Sequence, residues 1–282
     1  PSAITVSIFA TDASCNGVCD GSVSVSATGG TSPYTYTGDG TNLCANNYPI
    51  TVIDANGCQI DSGAFVYEPN AITISVSTNN ASCNGVCDGS VSVSATGGTS
   101  PYTYLGNGTN LCAGDYSVMV TDANGCSATD SAGVSEPSVL AISASATDLI
   151  CNGICDGSAM ANVSGGTSPF IYFWSNGDGV ATIDSLCAGD YSVTVNDSNG
   201  CTVNDSITIS QPAAIVFSVT STNTFCGFNN GTATATASGG TGSFSYLWDD
   251  TNAQTTAMAT GLGAGIYSVT ATDGNGCSAT AV

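Results

Sequence analysis

Apolar and polar residues alternate with a period of two along most of the chain. Ile4, Val6 and Ile8 are followed by Val23, Val25 and Ala27, then by Tyr34 and Tyr36, then by Tyr48, Ile50 and Val52. A two-residue period throws successive side chains to opposite faces, which predicts half-buried β-strands, and no stretch carries the spacing of a helix. Turn signals punctuate the runs at Thr28-Gly-Gly-Thr-Ser-Pro33 and at Asp54-Ala-Asn-Gly57, where Asn-Gly readily supplies the positive φ of a tight turn. No apolar run approaches the ~18 residues that suggest a membrane helix, so the chain reads as soluble.

The alternation is itself repeated. The segment from Cys15 to Tyr36 recurs letter for letter from Cys83 to Tyr104; a third copy with drift starts at Cys151 and a fourth at Cys226. This divides the chain into repeats at 1–70, 71–138, 139–213 and 214–282, the last expected to be truncated and the whole to be an excerpt of something longer. Single prolines mark the junctions at Glu68-Pro69, Glu136-Pro137 and Gln211-Pro212, with no flexible spacer beside them. Six or seven short strands in about 70 residues predict a small antiparallel β-sandwich of immunoglobulin-like type, and stiff junctions predict an elongated rod. Repeats 3 and 4 carry extra residues near Trp174 and Trp248, which fall in phase with Tyr172 and Tyr246. An in-phase aromatic run on a strand reads as core, a sugar-stacking strip being the alternative.

Composition then removes whole classes of function. The 282 residues include 21 Asp and Glu but no Lys, Arg or His, for a net charge of −21. Such a chain cannot neutralise phosphates, which excludes nucleic acid and anionic membranes as partners. It has no His or Lys to act as a base and no cation to stabilise an oxyanion. A glycosidase needs two facing carboxylates, whereas Glu68 and Glu136 occur one per junction. No enzyme is expected.

Fourteen cysteines beside no basic residue predict disulfides formed in an oxidising compartment. Repeat 4 keeps the first and last cysteines, Cys226 and Cys277, but has Asn230 and Gly263 where the two inner ones stand. Loss of both inner cysteines together identifies them as partners: Cys19 with Cys44, Cys87 with Cys112, and Cys155 with Cys187. Pairing what remains inside each repeat then predicts Cys15 with Cys58, Cys83 with Cys126, Cys151 with Cys201, and Cys226 with Cys277. A four-cysteine zinc site fits poorly, because its second pair would be thirteen residues apart and repeat 4 would keep only two ligands.

With no cation available, each carboxylate must be solvated, bonded to backbone amides or bound to a metal. Asp20, Asp88 and Asp156 follow the second cysteine, and Asp54, Asp122, Asp197 and Asp273 open the turn before the last. Capping a turn through the side-chain oxygen is their first reading. Calcium is the alternative at these seven positions, although the later ligands of an EF-hand loop are missing; otherwise no cofactor is expected.

The order Cys-Asn-Gly, Asp-Gly-Ser, Gly-Gly-Thr-Ser-Pro-Tyr-Thr-Tyr, Leu-Cys-Ala-Gly-Asp-Tyr-Ser-Val and Thr-Asp-x-Asn-Gly-Cys closely resembles the SprB repeat of very large surface proteins of gliding bacteria. It departs at Asn46-Asn47-Tyr48, at Phe170 and at the missing inner cysteines of repeat 4. The resemblance implies export by the type IX secretion system, a place on the cell surface, and a part in adhesion or gliding motility. It also implies O-linked sugar on Asp-Ser/Thr-apolar triplets, with Ser131, Ser185 and Ser206 as candidates. Neighbouring repeats of the same chain are the expected partners, with other copies in a filament and a surface or glycan ligand as further ones. A calcium- or glycan-binding extracellular module is the alternative function.

Overall fold

A computed structural model describes residues 2–224 and 227–282. Among these residues every regular element is a β-strand, six to a repeat. Repeat 1 runs through β1 (Thr5–Thr11), β2 (Gly21–Thr28), β3 (Thr35–Thr37), β4 (Gly40–Leu43), β5 (Asn46–Ile53) and β6 (Gln59–Val66). Its strands form two antiparallel three-stranded sheets, ordered β1-β2-β4 and β3-β5-β6. Repeat 2 copies the scheme with β7 (Thr73–Asn79), β8 (Gly89–Thr96), β9 (Thr103–Leu105), β10 (Gly108–Leu111), β11 (Gly114–Thr121) and β12 (Ser127–Val134).

Repeat 3 comprises β13 (Ala141–Thr147), β14 (Gly157–Ser164), β15 (Ile171–Trp174), β16 (Thr182–Leu186), β17 (Gly189–Asn196) and β18 (Thr202–Ile209). Repeat 4 comprises β19 (Val216–Thr222), β20 (Gly231–Ser238), β21 (Ser245–Trp248), β22 (Met258–Leu262), β23 (Val269–Thr272) and β24 (Ser278–Ala281). Both keep the same two sheet orders. The chain divides into two compact units, Pro1–Glu136 and Pro137–Val282, so that each unit holds two repeats.

Each repeat buries one alternating face of its strands between its two sheets. In repeat 1, Val23, Ile50, Val52, Ala64 and Val66 form the core, with Ile8 of β1 opposite Val25 of β2 and packed against it. Val91, Val118, Ala132 and Val134 do the same in repeat 2. Cores of four or five small side chains bury little apolar surface, and modules of this size are marginal without covalent help. Repeats 3 and 4 enlarge the core with Trp174 and Trp248, both buried. Their inserted loops supply the carbonyls a buried indole requires: Trp174 Nε1 donates to Val180 O and Trp248 Nε1 to Thr256 O, each at 2.9 Å.

The Gly-Gly turn after the second strand fixes how the first strand starts. Gly97 has φ +78°, and a Cβ there would lie 2.0 Å from Ala71 O. Neither a left-handed side chain nor that approach is tolerable, so Gly97→Ala is expected to cost at least about 2 kcal/mol, read as a lower melting temperature of the oxidised chain.

Candidate functional site: the covalent joint between repeats

Three kinds of polar contact shape the loop that carries the first cysteine. Asp20, just after β1 and its loop, accepts the Ser14 amide at 2.8 Å, and Asp88 accepts the Ser82 amide at the same distance. Asp156 takes the Ile150 amide at 3.2 Å. At the other side of the loop, Glu68 receives Asn16 Nδ2 at 3.1 Å and the Gly17 amide at 2.7 Å. Glu136 repeats this with Asn84 and Gly85, and Gln211 takes the Gly153 amide at 2.8 Å. The junction residue before each proline is therefore a clamp on its own repeat's Cys-Asn-Gly loop. The sequence marks these residues as junctions and shows no local signal for the clamp, because the partners lie far back in the repeat, Gly17 and Asn16 being 51 and 52 residues before Glu68.

The turn that carries the last cysteine is built on a buried aspartate. Asp54 Oδ2 accepts the Thr31 amide at 2.9 Å, and its Oδ1 accepts the Asn56 and Cys58 amides, each at 2.9 Å. Asp122, Asp197 and Asp273 make the same three contacts. These carboxylates pin the β5–β6 turn to the Gly-Gly turn through backbone amides. Among the described residues no three Asp, Glu or Cys side chains gather as a metal-ligand set.

Amide donation holds the carboxyl groups below their usual range. For Asp54 the largest cause is the Cys58 amide, which outweighs burial. For Asp122 burial pushes the group up, and the amides of Thr99, Cys126 and Asn124 together overcome it. A group depressed on folding adds stability that is complete above its unfolded pKa of about 4 and is lost as pH falls through the lower folded value. The melting temperature is therefore expected to hold steady down to about pH 4 and to fall below it. Asp122→Asn should make that acid limb shallower without abolishing it, because other depressed aspartates such as Asp54 and Asp197 remain, as measured by calorimetry across pH 2–7.

The inner cysteines are bonded as pairs within a repeat: Cys19 with Cys44, Cys87 with Cys112, and Cys155 with Cys187. The outer cysteines are not. Cys15 of repeat 1 is bonded to Cys126 of repeat 2, with Cα atoms 5.7 Å apart, and Cys151 of repeat 3 to Cys277 of repeat 4, at 5.6 Å. This corrects the expected pairs Cys15–Cys58, Cys83–Cys126, Cys151–Cys201 and Cys226–Cys277. Cys58 is an exposed thiol, while Cys83 and Cys201 are both in disulfides; Cys226 lies outside the described residues.

The reason is distance along one strand. Cys58 precedes β6, in the turn pinned to Thr31, whereas the Cys15 loop meets the far end of β6, where Ala13 N donates to Tyr67 O and Gly17 N to Glu68. Eight strand residues span about 26 Å, against the roughly 6 Å between Cα atoms that a disulfide permits. The chain leaves β6 through Pro69, and Gly98 N donates to Asn70 O, so the Cys126 turn of repeat 2 stands beside the Cys15 loop of repeat 1. Asn124 Nδ2 crosses the joint to Ser14 O at 2.9 Å, and in the second unit Asn275 Nδ2 reaches Ile150 O at 3.4 Å. An open groove of 380 Å3 walled by Val18, Ala71 and Ile72 flanks the first bridge, and its counterpart of 470 Å3 beside Ile154, Ala214 and Ile215 flanks the second.

The three serines of the sugar triplets all lie at the surface. Ser131 and Ser185 are exposed, and Ser206 is exposed on β18. The amides of Ser131 and Ser206 each bond the preceding aspartate, Asp130 and Asp205, at 2.8 Å.

A β-sandwich module repeated in tandem and stapled to its neighbour through sulfur defines a structural β-repeat architecture. The SprB repeat model matches residues 7–40, 75–110, 143–179 and 218–253, one match per repeat, and the chain belongs to the SprB repeat family. No curated protein matches the sequence. Among solved structures, the N-terminal eight Ig domains of Down Syndrome Cell Adhesion Molecule align over 99% of this chain at 8% identity and a TM-score of 0.32. This chain spans 60% of that one. Extracellular domains 3–5 of Drosophila OTK align over 59% of this chain and 71% of theirs, at 12% identity and a TM-score of 0.25.

Proposed function

We infer that the chain is a tension-bearing structural segment of a secreted surface protein, serving adhesion or gliding of the cell that exports it through the type IX system. The observation that carries this reading is the Cys15–Cys126 bridge, repeated as Cys151–Cys277. Force applied along the first unit passes through sulfur and bypasses the strands from β2 to β11. Only β1 before the bridge and β12 after it are left to carry load through hydrogen bonds. An intracellular reducing milieu would open the bridge, so the design belongs outside the cell. No cofactor and no nucleic-acid partner enter this reading.

Antibody against the chain is expected to label intact source cells, and brief protease treatment of those cells to remove the signal. Labelling only after lysis contradicts the reading. A second reading, glycan binding, is favoured by Phe65 and Tyr67, which are exposed on repeat 1 with ring centroids 4.4 Å apart, where repeat 2 has Gly133 and Ser135. Retention of the chain on immobilised glycans, lost in Phe65→Ala/Tyr67→Ala, would support that reading.

A further inference from the structure

Repeat 1 departs from repeat 2 at one corner of its second sheet. The inward positions there stay alike: Tyr48, Ile50, Ala64 and Val66 answer to Tyr116, Val118, Ala132 and Val134. The outward ones change. Asn47, Pro49, Gly63, Phe65 and Tyr67 stand where repeat 2 has Asp115, Ser117, Ser131, Gly133 and Ser135. The register brings them together, with Asn47 opposite Phe65 and Pro49 opposite Gly63. Nothing in the sandwich demands the aromatic pair, since repeat 2 builds the same two sheets with Gly133 and Ser135 in its place. Phe65 and Tyr67 are 47% and 61% exposed. Repeat 2, with repeat 1 docked on its Cys126 side, keeps the same corner exposed, so a docked neighbour does not cover it.

The corner also has an open floor and unused polar groups. A Cβ at Gly63 would lie 3.5 Å from Asn47 Oδ1, so the Asn47 amide lies beside bare glycine backbone. Among the described residues, neither the Asn47 side-chain amide nor the Tyr67 hydroxyl has a hydrogen-bond partner. In repeat 3 the equivalent cross-strand pair is closed on itself, Thr208 Oγ1 donating to Asp190 Oδ1 at 2.6 Å.

We propose that this corner binds a neutral sugar unit of a polysaccharide, whose apolar ring face lies on Phe65 and Tyr67 and whose hydroxyls meet Asn47. The inference rests on the glycan-binding reading above and adds to it the class of sugar and the residue that selects it. Charge makes the selection. The chain carries a net charge of −21 and has no cation to pair with a carboxylate or sulfate. Glu68 follows Tyr67, and Asp12 Oδ1 accepts the Tyr67 amide at 3.0 Å, so an anionic sugar is repelled. Asn47 omits the charge that repeat 2 keeps at Asp115, and its amide both donates and accepts, as a sugar hydroxyl does.

The test is electrophoresis of the purified full chain through native gels containing laminarin, mannan or starch, with alginate, a polyuronate, as the anionic probe. At least one neutral polymer is expected to slow the chain, and alginate is not. Phe65→Ala/Tyr67→Ala should weaken the retardation about tenfold or more. Asn47→Asp and Gly63→Ser each carry the repeat 2 residue into repeat 1. The first should weaken binding about three- to tenfold through the lost donor, and the second should weaken it by filling the floor. Unchanged melting temperatures show that the variants fold. If the aromatic variant loses retardation while Asn47→Asp and Gly63→Ser run as the wild type does, or if alginate slows the chain as strongly as the neutral polymers, the glycan-binding reading stands and this inference is overturned. Retardation that the aromatic variant keeps also overturns it. Migration unaffected by every polymer overturns both.

Discussion

Stretched from its two ends in oxidising buffer, the chain is expected to yield almost no length from within its units, and to release it only after reduction. The Cys15–Cys126 bridge encloses 111 residues and the Cys151–Cys277 bridge 126. At about 3.4 Å per extended residue, these correspond to roughly 380 and 430 Å of hidden contour length. The strands at risk in the first unit are β1 and β12, which lie outside the enclosed loop. A single-molecule trace taken before and after addition of a thiol reductant reads the difference directly. Steps of several hundred ångströms in the oxidised chain would show that the repeats, and not the bridges, take the load.

The second large effect is thermodynamic. Cys15→Ser/Cys126→Ser removes the joint without leaving an unpaired thiol behind. The inner bridges Cys19–Cys44 and Cys87–Cys112 remain and already shorten the loop to 61 residues, so the chain-entropy model puts the loss at about 4 kcal/mol. For a unit of this size that lowers the melting temperature by something on the order of 10–20 °C. It also uncouples two modules that otherwise melt as one, so calorimetry of the oxidised variant should split the transition of the first unit. A shift of under about 2 °C with a single transition would mean that the repeats are held by contacts other than sulfur.

The strands and the Gly-Gly turns were legible in the sequence because each depends on local rules. A period of two predicts a half-buried strand, and the letter-for-letter recurrence from Cys83 to Tyr104 marks the module. Trp174 and Trp248 were likewise legible as core from their phase with Tyr172 and Tyr246. The inner disulfides followed from the joint absence of two cysteines in repeat 4, an argument that needs no assumption about which repeat a partner belongs to. The outer pairing did need one. Elimination within a repeat silently required Cys15 and Cys58 to be neighbours, and β6 holds them a strand length apart.

Order alone places Cys58 directly before the last strand, but it does not place the Cys15 loop at that strand's far end. What could not be read was the tie itself. The bonds from Glu68 to Asn16 and Gly17 link residues 51 and 52 positions apart, and they only become visible when the loop and junction meet. Asp54 shows the opposite case: its first-choice role as a turn cap depends on amides within a few residues, plus one from Thr31 across the sandwich.

The central claim is that outer cysteines bond across neighbouring repeats. Non-reducing peptide mapping by mass spectrometry tests it most directly, using pepsin because a chain without Lys or Arg offers trypsin no site. The account predicts a linked peptide pair containing Cys15 and Cys126 and another containing Cys151 and Cys277. Peptides joining Cys15 to Cys58, or Cys83 to Cys126, would contradict it.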